Sequence, residues 1–178
     1  MGPTLASLAE KLAAGETSSR ALTEEALSRI EAPGGEGKAT FVQVFREAAL
    51  ASADASDKLR KLGVVPSPLA GIPVSVKDLT DVAGLTTHAG SKSRDGDPPA
   101  TKDAPVLARL RAAGAVLMGT TNMTEFALGG LGLNPHFGDC RNPWDRATGR
   151  IPGGSSSGAA ISITDGMAYA ALGSDTMG

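Results

Sequence analysis

Apolar positions recur at two different spacings along the chain, and the spacing changes near residue 65. Before that point, leucines and alanines repeat every three or four residues, which predicts amphipathic helices. Two helices are predicted within 4–32, and an alanine-rich helix over roughly 46–62 follows a short strand at 41–45. Residues 1–65 are therefore predicted to form a helical segment that packs on the rest of the chain.

After residue 65, short apolar runs alternate with helical patterns. The predicted strands span 72–76, 115–118 and 167–172, and the predicted helices span 103–113, 122–128 and 156–164. Residues 129–154 are rich in glycine, proline and asparagine, which predicts a long loop. Strands that alternate with helices are typical of an α/β layer with parallel neighbours. Residues 66–178 are therefore predicted to form an α/β core.

Composition narrows the class of protein. Apolar residues make up 41% of the 178 residues and aromatic residues only 3%, so aliphatic and alanine packing must dominate the core. The net charge of −2 argues against nucleic acid, which favours a basic face. The single cysteine, Cys140, has no partner for an internal disulfide. With no secretory signal and no apolar run near the roughly 20 residues that span a bilayer, we expect a cytoplasmic protein without membrane contact.

Lys77 is the first candidate for chemistry. It follows the apolar strand 72–76, on the face that Ser75 also occupies, whereas alternation directs Asp78 to the other side. A lysine that acts as a base must be neutral, and its ordinary pKa of about 10.4 must then fall by roughly 3 units, about 4 kcal/mol. Burial among apolar groups lowers a lysine pKa in this way. The alternative is an ordinary solvated lysine.

Two glycine-rich stretches are the next candidates. The run GGSSSG at 153–158 is either a flexible linker or a tight turn that presents serine hydroxyls at a helix N-terminus, and the helix-forming residues after it favour the turn. The stretch GSDTMG at 173–178 follows an apolar strand. It is either an ordinary turn or a nest of backbone N–H groups that could bind an oxyanion.

The histidines carry less weight. His88 and His136 are too isolated in the sequence for a metal site, and Cys140 lacks a neighbouring ligand. Neither histidine stands in a context typical of a Ser-His-Asp triad. All three residues are expected to be structural or loop residues.

Taken together, these segments resemble the amidase signature family. The matching motifs are GIPVSVKD at 71–78, GTTNMTEF at 119–126, NPWD at 142–145, PGGSSSG at 152–158 and GSDT at 173–176. The match runs from about residue 4 to the end of the chain and corresponds to the N-terminal part of a longer family member. The resemblance implies a mixed sheet flanked by helices, here truncated and preceded by a helical segment.

The resemblance also implies a Ser–cis-Ser–Lys mechanism without a metal or cofactor. By motif position, Lys77 is the base and Ser155 relays the proton, with a cis peptide bond between Gly154 and Ser155. Backbone amides of Thr176, Met177 and Gly178 are expected to bind the oxyanion. The attacking serine would come immediately after Gly178, so these 178 residues alone are expected to be inactive.

The implied activity is hydrolysis of carboxylic amide C–N bonds in a small molecule, and a homodimer of the full-length enzyme is compatible with it. Two departures from the family pattern are Met177, which could narrow the acyl pocket, and Ser157, since the family has glycine at both positions. One alternative is the glutamine-hydrolysing component of a tRNA-dependent amidotransferase, known as its A subunit. A second alternative is a non-catalytic remnant or interaction module.

Overall fold

The computed structural model describes residues 2–176. Its helices are α1 (Leu5–Ala14), α2 (Ser19–Ile30), α3 (Gly37–Thr40), α4 (Arg46–Lys61), α5 (Pro105–Ala112) and α6 (Ser157–Thr164), and its strands are β1 (Phe41–Val44), β2 (Pro73–Lys77), β3 (Val116–Thr121) and β4 (Ala170–Leu172). Short 3-10 turns lie at Lys92–Arg94, Glu125–Ala127 and Pro143–Asp145. The helices flank a four-stranded sheet, so the predicted α/β class is confirmed.

Local sequence signals fix the ends of the first two helices. The Thr4 hydroxyl accepts a hydrogen bond from the Ser7 amide at the start of α1, and Ser18 does the same for Ala21 at the start of α2. Such caps satisfy amide groups that lack a partner within the helix. Gly15 ends α1 with φ of 72°, a conformation that glycine adopts without a steric penalty.

The sheet has the strand order β1-β3-β2-β4. Strand β2 pairs in parallel with β3 on one side and with β4 on the other, which confirms the predicted parallel neighbours. Strand β1 pairs with β3 in the antiparallel direction. The N-terminal segment therefore supplies an edge strand as well as helices, and the division at residue 65 stays a prediction.

Both faces of the sheet are covered. Every residue of β2 and β3 is buried, including the polar side chains of Ser75 and Lys77 in β2. Helices α2 and α4 pack Ala26, Ala49 and Ala53 against Met118 on one face. On the other face, Val76 and Leu117 pack against Leu107 of α5 and Val82. Small alanines allow close helix packing in a core with few aromatic rings.

The predicted helix at 122–128 is wrong. Only Glu125–Ala127 form a 3-10 turn, and Phe126 and Ala127 adopt positive φ angles of 50° and 60°. The Ala127 and Leu128 amides bond locally to Thr124 O and Glu125 O, but two other amides of this segment bond to distant segments. The Thr124 amide donates to Ser155 O, and the Phe126 amide donates to Ala89 O.

Several element boundaries also differ from prediction. Strand β3 extends to Thr121 because Gly119, Thr120 and Thr121 pair with both β1 and β2. Strand β4 begins only at Ala170, since the amides of Met167 and Ala168 still donate to Ser162 O at the end of α6. The 129–154 segment is a loop as predicted, apart from the turn at Pro143–Asp145. No helix within residues 2–176 combines the length and apolar character needed to cross a bilayer.

Candidate active site

Lys77 is the last residue of β2 and is buried, with 1% of its surface exposed. Ser75 lies on the same face of the strand, and its Oγ is 2.8 Å from Ser162 Oγ on α6. The side chain of Lys77 therefore points toward the layer formed by α6 and the segments next to it. The alternative of a solvated surface lysine is wrong.

Three oxygen atoms surround the Lys77 amine. Lys77 Nζ donates to Ser155 Oγ at 2.6 Å, to Ser174 Oγ at 2.9 Å and to Ser174 O at 3.3 Å. An ammonium group has three N–H donors and no acceptor. Each donor therefore has an acceptor, and all three acceptors come from the two glycine-rich stretches.

The buried environment of Lys77 disfavours its charged form. Burial lowers the pKa of Lys77, and the nearby charge of Asp175 acts in the opposite direction and raises it. Desolvation penalises the ammonium form more than the neutral amine. The environment therefore shifts Lys77 toward the neutral form that a general base needs.

Asp78 faces away from the lysine, as strand alternation predicts. Its Oδ2 accepts a hydrogen bond from the Gly90 amide at 3.0 Å, and its Oδ1 lies 3.9 Å from His88 Nδ1. Burial raises the pKa of the Asp78 carboxyl group. Asp78 thus holds the 88–90 loop rather than forming an ion pair with Lys77.

Ser155 lies in a tightly held turn. The peptide bond between Gly154 and Ser155 is cis, as the family resemblance implied. The Gly154 amide donates to Gly130 O at 2.8 Å, and Ser155 O accepts from the Thr124 amide at 3.0 Å. Because its backbone is bonded to a neighbouring segment, the run at 153–158 is not a flexible linker. Helix α6 begins two residues after Ser155 and holds the turn from its other side.

The 173–176 turn is bonded to two separate segments. Ser156 Oγ accepts from the Ser174 amide at 3.2 Å and donates to Ser174 O at 3.1 Å. Thr176 Oγ1 donates to Ala127 O at 3.4 Å. The turn therefore lies beside the proton-relay candidates. Met177 and Gly178, the other two predicted oxyanion ligands, lie outside the described residues, so the oxyanion nest stays a prediction.

Ser174 is the site residue that the sequence reasoning missed. Both its hydroxyl and its carbonyl oxygen contact Lys77, whereas the sequence indicated only that it belongs to a turn. Its place in the GSDT motif, next to the predicted oxyanion amides, was the available signal.

The other two candidates from the sequence, His136 and Cys140, make contacts outside the Lys77–Ser155 site. His136 Nε2 is 2.8 Å from Glu125 Oε1, and Cys140 donates to Ala39 O.

Ser155 and Ser174 open onto a small cavity of about 310 Å³. Its lining consists of Pro152, Gly153, Gly154, Ser155, Ser156, Ala160, Ser174 and Asp175. The wall contains serine hydroxyls and glycine backbone but few bulky side chains. Such a site can present the Ser155 hydroxyl to a polar bond of a small ligand, while the Lys77 amine contacts that hydroxyl from the buried side.

The chain matches the family model described as Amidase over residues 21–178. AtzE of Pseudomonas sp. strain ADP, which belongs to 1-carboxybiuret hydrolase, is 50% identical over 169 residues, which are 95% of this chain and 36% of that protein. The A subunit of glutamyl-tRNA(Gln) amidotransferase from Chromohalobacter salexigens is 45% identical over 175 residues, which are 98% of this chain and 35% of that protein.

A solved structure confirms the fold. It is described as an unexpected vestigial protein complex that reveals the evolutionary origins of an s-triazine catabolic enzyme. It superposes with a TM-score of 0.91 at 48% identity, over 98% of this chain and 37% of that chain. The chain spans about a third of the length of the curated relatives it matches. It belongs to the amidase signature family, whose members named here are components of a hydrolase and of an amidotransferase.

Proposed function

We propose that this protein contributes the proton relay of an enzyme that hydrolyses carboxylic amide C–N bonds by a Ser–cis-Ser–Lys mechanism. The observation that carries the proposal is the contact of 2.6 Å between Lys77 Nζ and Ser155 Oγ, inside a buried site. A buried amine next to a hydroxyl is the arrangement that activates a serine without histidine.

In the proposed reaction, neutral Lys77 takes the proton of Ser155 Oγ while Ser155 takes the proton of the attacking serine. That serine is the residue that the family resemblance places directly after Gly178. Its oxygen forms a bond to the amide carbon, and the carbonyl becomes an oxyanion. The oxyanion accepts hydrogen bonds from backbone amides of the segment from Thr176 to Gly178.

The second half of the reaction returns the protons. The ammonium of Lys77 passes a proton through Ser155 to the leaving nitrogen as the C–N bond breaks, which releases an amine or ammonia. Water then attacks the acyl carbon, with the same pair as the base. The C–O bond to the attacking serine breaks as Lys77 returns the proton through Ser155 to that serine's oxygen, and the carboxylic acid leaves. Each proton that Lys77 accepts is thus given back, and no external co-reactant besides water is consumed.

The test uses the protein as its gene encodes it and a panel of small amides. We expect Lys77→Met and Ser155→Ala each to lower kcat by roughly 10²- to 10⁴-fold, because general acid–base catalysis contributes effects of that size. Lys92→Met is the matched control, since Lys92 is an exposed lysine outside the site. Near-normal turnover by either site variant would reject the assigned roles.

A second candidate function is glutamine hydrolysis as the A subunit of a tRNA-dependent amidotransferase. The similarity to a protein with that name, from glutamyl-tRNA(Gln) amidotransferase, favours it. It predicts glutamine-specific release of ammonia that depends on a co-purifying partner protein. Turnover of other amides by the isolated protein would favour the free-standing amidase instead.

The remaining proposals concern partners and location. The amidase function predicts a small-molecule amide substrate. We also propose that the full-length enzyme forms a homodimer, and light scattering of the purified protein measures its oligomeric state. A protein with the site intact but without turnover of any amide would instead be an interaction module. We propose the cytoplasm as its location, which agrees with the unpaired thiol of Cys140.

A further inference from the structure

The second serine of the 155–157 run makes contacts that the proposed reaction does not use. Ser156 Oγ accepts from the Ser174 amide at 3.2 Å and donates to Ser174 O at 3.1 Å. One hydroxyl therefore bonds both polar groups of a single backbone residue, as a neighbouring strand would. Ser156 itself does not contact Lys77 through any described hydrogen bond, although its neighbour Ser155 and its partner Ser174 both do.

Ser174 connects this contact to the base. Its Oγ and its carbonyl oxygen accept from Lys77 Nζ at 2.9 and 3.3 Å. The orientation of the Ser174 backbone therefore decides where two of the three acceptors of Lys77 lie. The same backbone leads into Thr176, the predicted oxyanion ligand that lies within the described residues, so its position also affects the distance between the Thr176 amide and Ser155.

Gly173 lies so close to Ser156 that the contact between the turn and this serine requires glycine at position 173. A Cβ atom on Gly173 would lie 3.0 Å from Ser156 Oγ and 3.2 Å from Ser156 Cβ. Contacts of that length are shorter than normal van der Waals contacts, so a side chain at position 173 would push Ser156 away. Because glycine has no side chain, the turn can pack against Ser156 at this position.

We propose that Ser156 is a positioning residue that clamps the 173–176 turn against the Lys77–Ser155 pair. The proposal rests on the proposed amidase function, and it assigns separate tasks to adjacent serines. Ser155 transfers protons, whereas Ser156 fixes the backbone that supplies the acceptors of the base and leads into the oxyanion amides. Thr176, through Ala127 O, holds the far end of the same turn.

Loss of the clamp has two expected effects. First, the turn shifts relative to Ser155, and a displacement of about 1 Å can cost roughly 10²-fold in rate. Second, the ammonium form of Lys77 loses well-placed acceptors, whereas the neutral amine needs them less. The acid limb of the pH–rate profile, which reports protonation of the base, therefore moves to lower pH.

The test compares Ser156→Ala with Ser156→Thr, which keeps the hydroxyl, in the protein as its gene encodes it. Ser157→Ala is the control, because Ser157 lies in the same run but its hydroxyl faces Asn122 O at 3.5 Å. We expect Ser156→Ala to lower kcat roughly 10- to 100-fold with KM within about 3-fold, and to move the acid limb to lower pH. Ser156→Thr should recover most of kcat, and Ser157→Ala should keep the wild-type profile.

Wild-type kcat and an unchanged acid limb in Ser156→Ala would overturn the clamp. Thermal melts accompany the kinetics, and if Ser156→Ala does not fold, Gly173→Ala disturbs the same contact from the other side and decides the question by the same two readouts. Lys77→Met separates the two proposals. Normal turnover in Lys77→Met overturns the amidase function, whereas an inactive Lys77→Met together with an unaffected Ser156→Ala overturns the clamp alone.

Discussion

Lys77 Nζ and Ser155 Oγ are 2.6 Å apart although 78 positions separate the two residues in the chain. Lys77 ends β2, and the parallel neighbour of β2, strand β4, leads into the 173–176 turn at the same edge of the sheet. The turn before α6 then lies against that edge. In open α/β sheets, this carboxyl edge is where ligands bind. Burial of the amine at that edge has consequences for pH that can be measured.

The first prediction concerns the pH dependence of the rate. The base works only when neutral, so kcat/KM should rise with pH as Lys77 loses its proton. Because burial lowers the pKa of Lys77, the midpoint should lie below the ordinary lysine value of about 10.4. The charge of Asp175 raises this pKa, so Asp175→Asn should move the midpoint further toward low pH. A pH series of kcat/KM with a neutral amide substrate measures both, and a shift toward high pH in Asp175→Asn would contradict the electrostatic account.

The second prediction concerns Cys140, which is buried. Burial raises its thiol pKa to about 11, so little thiolate exists at neutral pH. Since the thiolate is the reactive form, alkylation by iodoacetamide at about pH 8 should be at least roughly 10²-fold slower in the folded protein than in guanidinium chloride. The rate in the folded protein should rise with pH up to about 11. Equal rates in the two states would show that the thiol is accessible and ionised.

Much of this site could be predicted from the sequence, because strand alternation is a local property. The alternation of side chains through 72–76 predicts that Lys77 and Asp78 lie on opposite sides, and the structure agrees. The helix-forming residues after the glycine-serine run correctly distinguish it from a linker. In these stretches, the pattern of neighbouring residues along the chain is informative.

The features that could not be predicted depend on distant partners. Phe126 and Ala127 adopt positive φ because the segment bonds to Ala89 O and Ser155 O, and no local pattern indicates those partners. Ser174 acts partly through its carbonyl oxygen, which every residue has, so its residue type carries little information. The antiparallel direction of β1 likewise follows from the path of the chain rather than from its four residues.

The third prediction concerns Gly158, near the start of α6. Helix propensity alone favours alanine over glycine by about 1 kcal/mol. A Cβ atom here would, however, lie 2.4 Å from Thr40 O, 2.6 Å from Asn122 N and 2.8 Å from Asn122 O, all of which are backbone atoms. Gly158→Ala should therefore destabilise the protein by about 1–3 kcal/mol or more, as overpacked cores do. Urea denaturation measures the free energy of unfolding.

Gly96→Ala is the matched control for that substitution. A Cβ atom at Gly96 would meet no atom within 4 Å, and its φ lies outside the positive range that disfavours side chains. The free energy of unfolding should change by no more than about 0.5 kcal/mol. A stability for Gly158→Ala equal to that of Gly96→Ala would mean that helix propensity outweighs the close backbone contacts.

The fourth prediction compares two glutamates near the end of α2 that differ in burial. Glu36 is 3% exposed and accepts from the backbone amide and the guanidinium of Arg141, whereas Glu31 pairs with Arg46 at the surface. Glu36→Gln replaces one oxygen by a donor that faces arginine, and hydrogen bonds to charged groups contribute about 1.5–3 kcal/mol.

We expect Glu36→Gln to lower the free energy of unfolding by about that amount, and Glu31→Gln by no more than about 1 kcal/mol, since exposed ion pairs contribute little. Added salt separates the two cases further, because it screens the exposed Glu31–Arg46 pair more than the Glu36–Arg141 pair, whose carboxylate is buried. Glu36 joins the N-terminal segment to Arg141 of the 129–154 loop, so its loss should also speed proteolysis within that loop. If both variants lose equally little stability, then other contacts hold the loop, such as the Arg146–Asp165 ion pair at 2.7 Å. Glu36 would then contribute no more to stability than an exposed ion pair does.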